Sequence, residues 1–284
     1  MTWQFYTAVS VVALSISIIL QRILIHRDKI NPFAYAVVFQ AMVAIVISAF
    51  LIFQGFMLPN IKELWIPAVA SMLLYGIGHV VYAKTLQKVE ASVFSVLFAS
   101  QAVWIMLLGV FWFNESLTAL QIIGSALIFA SILVLVKRQS LRSLDRGLIL
   151  GLLTGLLFGL AITCWSYVGR HTDTLSWAAL SFVGTSLSAL LFYPKATRHM
   201  APLFRGAILS RMMLLSVFYA IGCVAMLYAY KLGTFTVVSP LRQTGIILTV
   251  LLALALLRTE RKQVGRKLAA AAICSLGVVL IVAN

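Results

Sequence analysis

Lys137-Arg138-Gln139-Ser140-Leu141-Arg142-Ser143-Leu144-Asp145-Arg146 is a basic, polar stretch in a chain of 284 residues that is 62% hydrophobic and only 10% charged. It is the one stretch that reads as a linker, and it divides the chain nearly in half. Before it lie five apolar runs, near Trp3 to Leu24, Pro32 to Phe53, Leu64 to Tyr82, Ser92 to Phe113 and Thr118 to Val136. After it come five more, Gly147 to Val168, Leu175 to Tyr193, Ile208 to Tyr230, Phe235 to Leu257 and Leu268 to Val282. A bilayer core about 30 Å thick takes roughly 20 mostly apolar residues per spanning helix. The expected fold is therefore an all-α integral membrane protein of ten transmembrane helices. Its first five-helix unit covers 1–136, the linker 137–146 and the second unit 147–284.

A midpoint linker prompts a search for self-similarity. His26-Arg27-Asp28 recurs as His171-Thr172-Asp173, each just after the first span of a half. Tyr75-Gly76-Ile77-Gly78 recurs as Tyr219-Ala220-Ile221-Gly222 in each third span, and Glu115 recurs as Glu260 just past each fourth. The offsets are 145, 144 and 145 residues, so the halves read as two copies of one unit. An odd number of spans per copy makes consecutive copies enter the membrane in opposite orientation, an inverted repeat. Charge agrees with inversion. Eighteen Lys and Arg residues lie in or beside the loops after spans 1, 3, 5, 7 and 9, and three, Lys62, Arg170 and Lys231, in the others. The positive-inside rule makes the first set cytoplasmic and both termini external.

The formal charge of +15 would point to nucleic acid in a soluble protein. Here the cations sit in short loops between apolar runs, as cytoplasmic loops facing anionic lipid do, and nucleic acid is excluded as a partner. A mean hydropathy of +1.05 leaves little for a soluble domain. Cys164, Cys223 and Cys274 all fall inside apolar runs without CxxC or metal-ligand spacing and read as small packing residues. The N-terminal Met-Thr-Trp-Gln-Phe-Tyr lacks a basic n-region, so the first run is expected to be a retained helix. The expected location is the cell's inner (plasma) membrane, multi-pass. The expected partners are a small-molecule substrate and the lipid bilayer, with a homodimer open; no cofactor or metal is expected.

Phe113-Asn114-Glu115-Ser116-Leu117-Thr118-Ala119-Leu120-Gln121-Ile122-Ile123-Gly124 resembles the Glu, Leu-Thr, Gln and Gly pattern of the drug/metabolite transporter superfamily, specifically its ten-helix EamA-type members. Leu257-Arg258-Thr259-Glu260-Arg261-Lys262-Gln263 resembles the second copy of that pattern but lacks the Leu-Thr pair and the Gly. The resemblance covers nearly the whole chain. It implies a transporter rather than an enzyme and says little about substrate, since similar proteins move amino acids, nucleotide sugars, phosphorylated metabolites or amines.

Arg242, in Ser239-Pro240-Leu241-Arg242-Gln243-Thr244-Gly245, is the most informative single residue. A permanent cation inside a span costs about 2.5 to 3.5 kcal/mol on insertion scales, so it faces a cavity or a partner. Pro240 removes a backbone donor and suits a broken helix at a substrate site. Arg242 is then expected to hold a carboxylate or phosphate, with Gln243 and Thr244 adding hydrogen bonds. The alternative is a side chain that snorkels to the outer interface. Tyr75, His79 and Tyr82 stand at i, i+4 and i+7, on one helical face. With Tyr219, Tyr230 and, from the first half, Gln101, they are the candidate cavity wall; interfacial belts or packing between helices are the alternative. His79 is either a proton carrier or a hydrogen-bond donor. Gln21, Gln40 and Ser100 are further intramembrane polar residues. Gly147, Gly151, Gly155 and Gly159 form a ridge that fits close helix packing or a sliding surface.

The seven acidic residues all lie in loops or at span ends, which argues against proton antiport of hydrophobic cations through a mid-membrane carboxylate. Glu115 and Glu260, before the fifth and tenth spans, read as structural. HExxH, GxSxG and paired intramembrane carboxylates are missing, which argues against a membrane enzyme. The expected function is secondary transport, as exporter or exchanger, of a small polar metabolite such as an amino acid or other anionic or zwitterionic compound. The alternatives are an exporter of organic cations or drugs, and a lipid-flipping membrane protein.

Overall fold

The computed structural model describes residues 2–27, 30–57, 62–113, 118–135, 146–233, 238, 241–242, 245–257 and 263–282. Its described elements are helices. They are α1 (Trp3–Arg22), extended by a π-helical turn at Ile23–Arg27, then α2 (Pro32–Gln54), α3 (Trp65–Lys88), α4 (Ala91–Phe98), α5 (Ser100–Phe113) and α6 (Ala119–Leu135). The second half contributes α7 (Arg146–His171), α8 (Thr174–Phe192), α9 (Gly206–Leu232), α10 (Gly245–Leu256) and α11 (Val264–Val282). Two 3-10 turns, Pro194–His199 and Ala201–Phe204, join α8 to α9.

Among the described residues, seven helices are long and apolar enough to cross a membrane, and three shorter apolar helices lie at Ala91–Ile105, Ala119–Val134 and Gly245–Leu256. This is a multi-pass membrane protein. Its surface carries the large apolar side chains a soluble protein would hide: Ile45, Ile52, Phe53 and Leu191 are mostly exposed. On α2 the opposite face buries Tyr35, Phe39, Val43 and Ile47 against the other helices, so the helix is apolar all round, as a span in lipid must be.

Two boundaries depart from the sequence reading. The fourth apolar run, expected as one helix from Ser92, is interrupted at Ala99, where the amide of Ala102 turns back to the Ala99 carbonyl at 2.9 Å. Ser95 sits just before this break with its hydroxyl on the Ala91 carbonyl at 2.8 Å, a back-bond that bends helices. Arg146 is the first residue of α7 rather than the last of the linker; the remainder of the linker lies outside the described residues.

The halves interlock rather than sit side by side. The main pairings join α1 to α9 and α3 to α7, α5 to α7 and α10 to α1, α3 to α8 and α9 to α2. Three further pairings, α2 with α8, α4 with α10 and α6 with α11, join corresponding helices. Exchanging each span with the one five further along maps this set onto itself. Polar side chains tie the halves within the membrane: Ser186 donates to the Val37 carbonyl at 2.9 Å and Ser188 to the Met72 carbonyl at 2.7 Å.

Candidate functional site

The interlocked helices leave a small cavity within the main hydrophobic core. Both halves build it. Leu14, Ile18 and Gln21 enter from α1, Tyr75, His79 and Tyr82 from α3, and Phe98 and Gln101 from either side of the α4/α5 break. The second half supplies Phe158, Ile162 and Trp165 from α7, Ser181, Phe182 and Thr185 from α8, and Tyr219, Cys223 and Met226 from α9, with Arg242 beside them.

Six of the eight residues singled out in the sequence thus line one cavity: Tyr75, His79, Tyr82, Gln101, Tyr219 and Arg242. Tyr230 does not; it is buried in α9, and its carbonyl accepts a hydrogen bond from Arg170 Nε at 2.9 Å. Gln243 lies outside the described residues, as do Ser239, Pro240, Thr244, Glu115 and Glu260. Cys223, which the sequence offers both as a packing residue and, with Tyr219 and Met226, as the repeat partner of the Tyr75 face, is a lining residue, whereas Cys274 packs in the core between α6 and α11. Gln40 is fully buried away from the cavity.

The wall is aromatic and edge-linked. Phe158 is its hub, with ring centroids 4.9 Å from His79, 5.3 Å from Tyr75, 5.8 Å from Tyr82 and 5.1 Å from Phe98. Across from it, Tyr219 approaches Phe39 at 4.9 Å and Phe182 at 6.0 Å. Such contacts orient ring edges and faces and stiffen the wall. Trp165 is fixed by its indole N–H on Ser181 Oγ at 2.8 Å, while its carbonyl accepts the indole N–H of Trp177 at 3.0 Å. Gln21 is held too: it donates to Ser17 Oγ and accepts from the Tyr35 hydroxyl.

Other polar atoms of the wall are not held in this way. His79 Nδ1, the Tyr82 hydroxyl, both amide atoms of Gln101 and Arg242 Nε are buried without a hydrogen-bond partner among the described residues. An unsatisfied polar group in a membrane interior costs several kcal/mol where nothing can pair with it. Among the described lining residues Arg242 is the permanent cation and none is a carboxylate. The glycine ridge of α7 sits behind this site. A Cβ on Gly155 would come within 2.3 Å of Ser100 Oγ and 3.2 Å of the Gln101 backbone nitrogen, so glycine there lets α7 press against the α4/α5 break that presents Gln101.

Sequence reasoning missed Phe158, Trp165, Phe182 and the two hydroxyls Ser181 and Thr185. Aromatic and small polar residues are scattered through every apolar run, and neither repeat offset nor helical spacing marks these.

Residues 1–137 match the sequence profile described as the EamA-like transporter family. No curated protein matches the chain. Among solved structures, one described only as "Crystal structure of protein" is 14% identical, covers 98% of this chain and 99% of its own, and superposes with a TM-score of 0.68. That likeness concerns the fold.

Proposed function

We propose that this chain, whose residues 1–137 belong to the EamA-like transporter family, is a secondary transporter of a small polar metabolite with an anionic or zwitterionic head. The family makes a membrane transporter of the drug/metabolite type the coarse reading. The substrate class rests on one observation: Arg242 lines a cavity whose described lining residues include no carboxylate, beside unpaired polar atoms of Gln101, His79 and Tyr82. A carboxylate or phosphate presented to that guanidinium forms a charge-assisted, two-pronged hydrogen bond. The amide of Gln101 both donates and accepts, so it serves either end of a zwitterion. The aromatic wall takes the apolar body. A cavity lined from both interlocked halves supports alternating access, in which the halves rock about the site and expose it to each side in turn.

Counterflow in proteoliposomes, run over amino acids, phosphorylated metabolites and amines, tests the reading. The wild-type protein is expected to exchange anionic or zwitterionic compounds, and Arg242→Ala to lose that exchange. Equal transport of such compounds by Arg242→Ala, or exchange confined to amines, rejects it.

A further inference from the structure

We infer that Glu90 and Lys267 form a latch that shuts one end of the cavity, and that this pair parts whenever substrate passes through that end. The inference rests on the alternating-access reading above and adds to it the residues that close one gate.

The closure is layered. Ile18 lines the cavity and also packs into a small cluster with Ile19, Ala91 and Ala253, completed by Leu252 and Leu257. These residues come from α1 and α4 of the first half and from the end of α10 in the second, so the cluster is an apolar plug across the junction of the halves. Directly beyond Ala91 stands Glu90, whose carboxylate pairs with the ammonium of Lys267 in the first turn of α11. Two more cations stitch the same region: Arg22 donates from Nη1 to the Leu86 carbonyl in the last turn of α3, and Arg266 from Nε to the Val134 carbonyl near the end of α6.

The opposite end is built differently. There Trp3 packs beside Gly233, and Arg170 donates to the carbonyls of Tyr230 and Gly233 at 2.9 and 3.0 Å, with Lys231 on the Thr172 carbonyl at 3.4 Å. Those bonds tie α7 to α9 within the second half, whereas Glu90 and Lys267 tie one half to the other.

Energetics suit the pair to a switch. Lys267 is 5% exposed and the Glu90 side chain 34% exposed, so parting them while the end stays closed takes an anionic partner from a buried ammonium. When the end opens and water enters, both ions are solvated and the same separation is close to neutral. The pair therefore resists partial opening and yields to complete opening, which keeps a transporter from leaking.

The cavity carries its own reporter. In a Cys164→Ala/Cys274→Ala background, Cys223 is the remaining thiol and lines the cavity. A membrane-impermeant maleimide is applied to each face of oriented, sealed vesicles, and the rate of Cys223 labelling is read. Glu90→Gln and Lys267→Gln are each expected to speed labelling at the face bearing Arg22 by about five-fold or more, the low end of an ordinary conformational coupling, and to slow it at the other face. The exchanged pair Glu90→Lys/Lys267→Glu is expected to return both rates to the parental values, and it carries the test if a single variant fails to fold. Parental rates in both single variants, or failure of the exchanged pair to restore them, overturn the latch. Labelling needs no substrate, so it stands or falls separately from the counterflow result on Arg242.

Discussion

The effect of Arg242 on a substrate depends on the geometry of its guanidinium as well as on its charge. Lysine at that position keeps the charge and loses the planar fork. Arg242→Lys is therefore expected to retain transport while half-saturation shifts upward by about ten-fold, roughly the 1.4 kcal/mol that one good charged hydrogen bond carries. Initial rates of counterflow against substrate concentration measure this, and an unchanged half-saturation rejects a two-pronged contact. Arg242, His79 and Gln101 were legible as candidates because a polar side chain inside an apolar run demands a reason. Tyr230 shows where that logic ends. It stands eleven residues after Tyr219, which returns it to nearly the same helical face but about 16 Å further along the axis, beyond the cavity that Tyr219 lines. Face was readable from spacing; depth was not, because it depends on where the helix sits in the bundle.

At the level of elements, motif and mechanism separate in an instructive way. Thr118 and Gln121, quoted from the family-like pattern, form a reciprocal capping box at the start of α6: the Thr118 amide donates to Gln121 Oε1 at 3.1 Å and the Gln121 amide to Thr118 Oγ1 at 3.4 Å. The second copy lacks this pair, and the residue 145 positions after Thr118 is Gln263, held at φ 56°. The same segment of each repeat thus starts its last helix by different means, which explains why the second match was weak in sequence. The contact of α6 with α11 was not legible at all, since it rests on two glycines among many. A Cβ on Gly124 would fall 2.4 Å from the Gly277 carbonyl oxygen, and one on Gly277 would fall 2.5 Å from that of Gly124. Both obstacles are backbone and cannot swing away. Gly124→Ala and Gly277→Ala are each expected to destabilise the protein by about 1 to 3 kcal/mol, the usual range for overpacking. Because they press on one contact, the double variant should cost less than the sum. Thermal unfolding in detergent checks this, and additive or absent losses reject close approach as the reason for these glycines.

For the whole molecule, the interchange of spans that leaves the helix pairings unchanged has a mechanical consequence. If each half can adopt the arrangement of the other, the conformation closed at the Arg22 end implies a counterpart closed at the Trp3 end, and the cavity between them serves both. The charges are not symmetric in the same way. Cations crowd the Arg22 end, in Arg22, Lys84, Lys88, Lys195, Arg198 and Arg205, while the Trp3 end carries few. An inverted scaffold alone has no preferred direction of insertion, so the loop charges must choose it. Five spans per half predict both chain ends on one side, and the positive-inside rule predicts that this side is external. A reporter fused after Asn284 is expected to behave as periplasmic, and one fused after residue 140 as cytoplasmic. A cytoplasmic signal at Asn284 with a periplasmic one at residue 140 would reverse the assignment yet keep the fold, whereas the same side for both would break the count of five spans in the second half. Reporter activity at the two positions, read together, thus separates an error of orientation from an error of architecture.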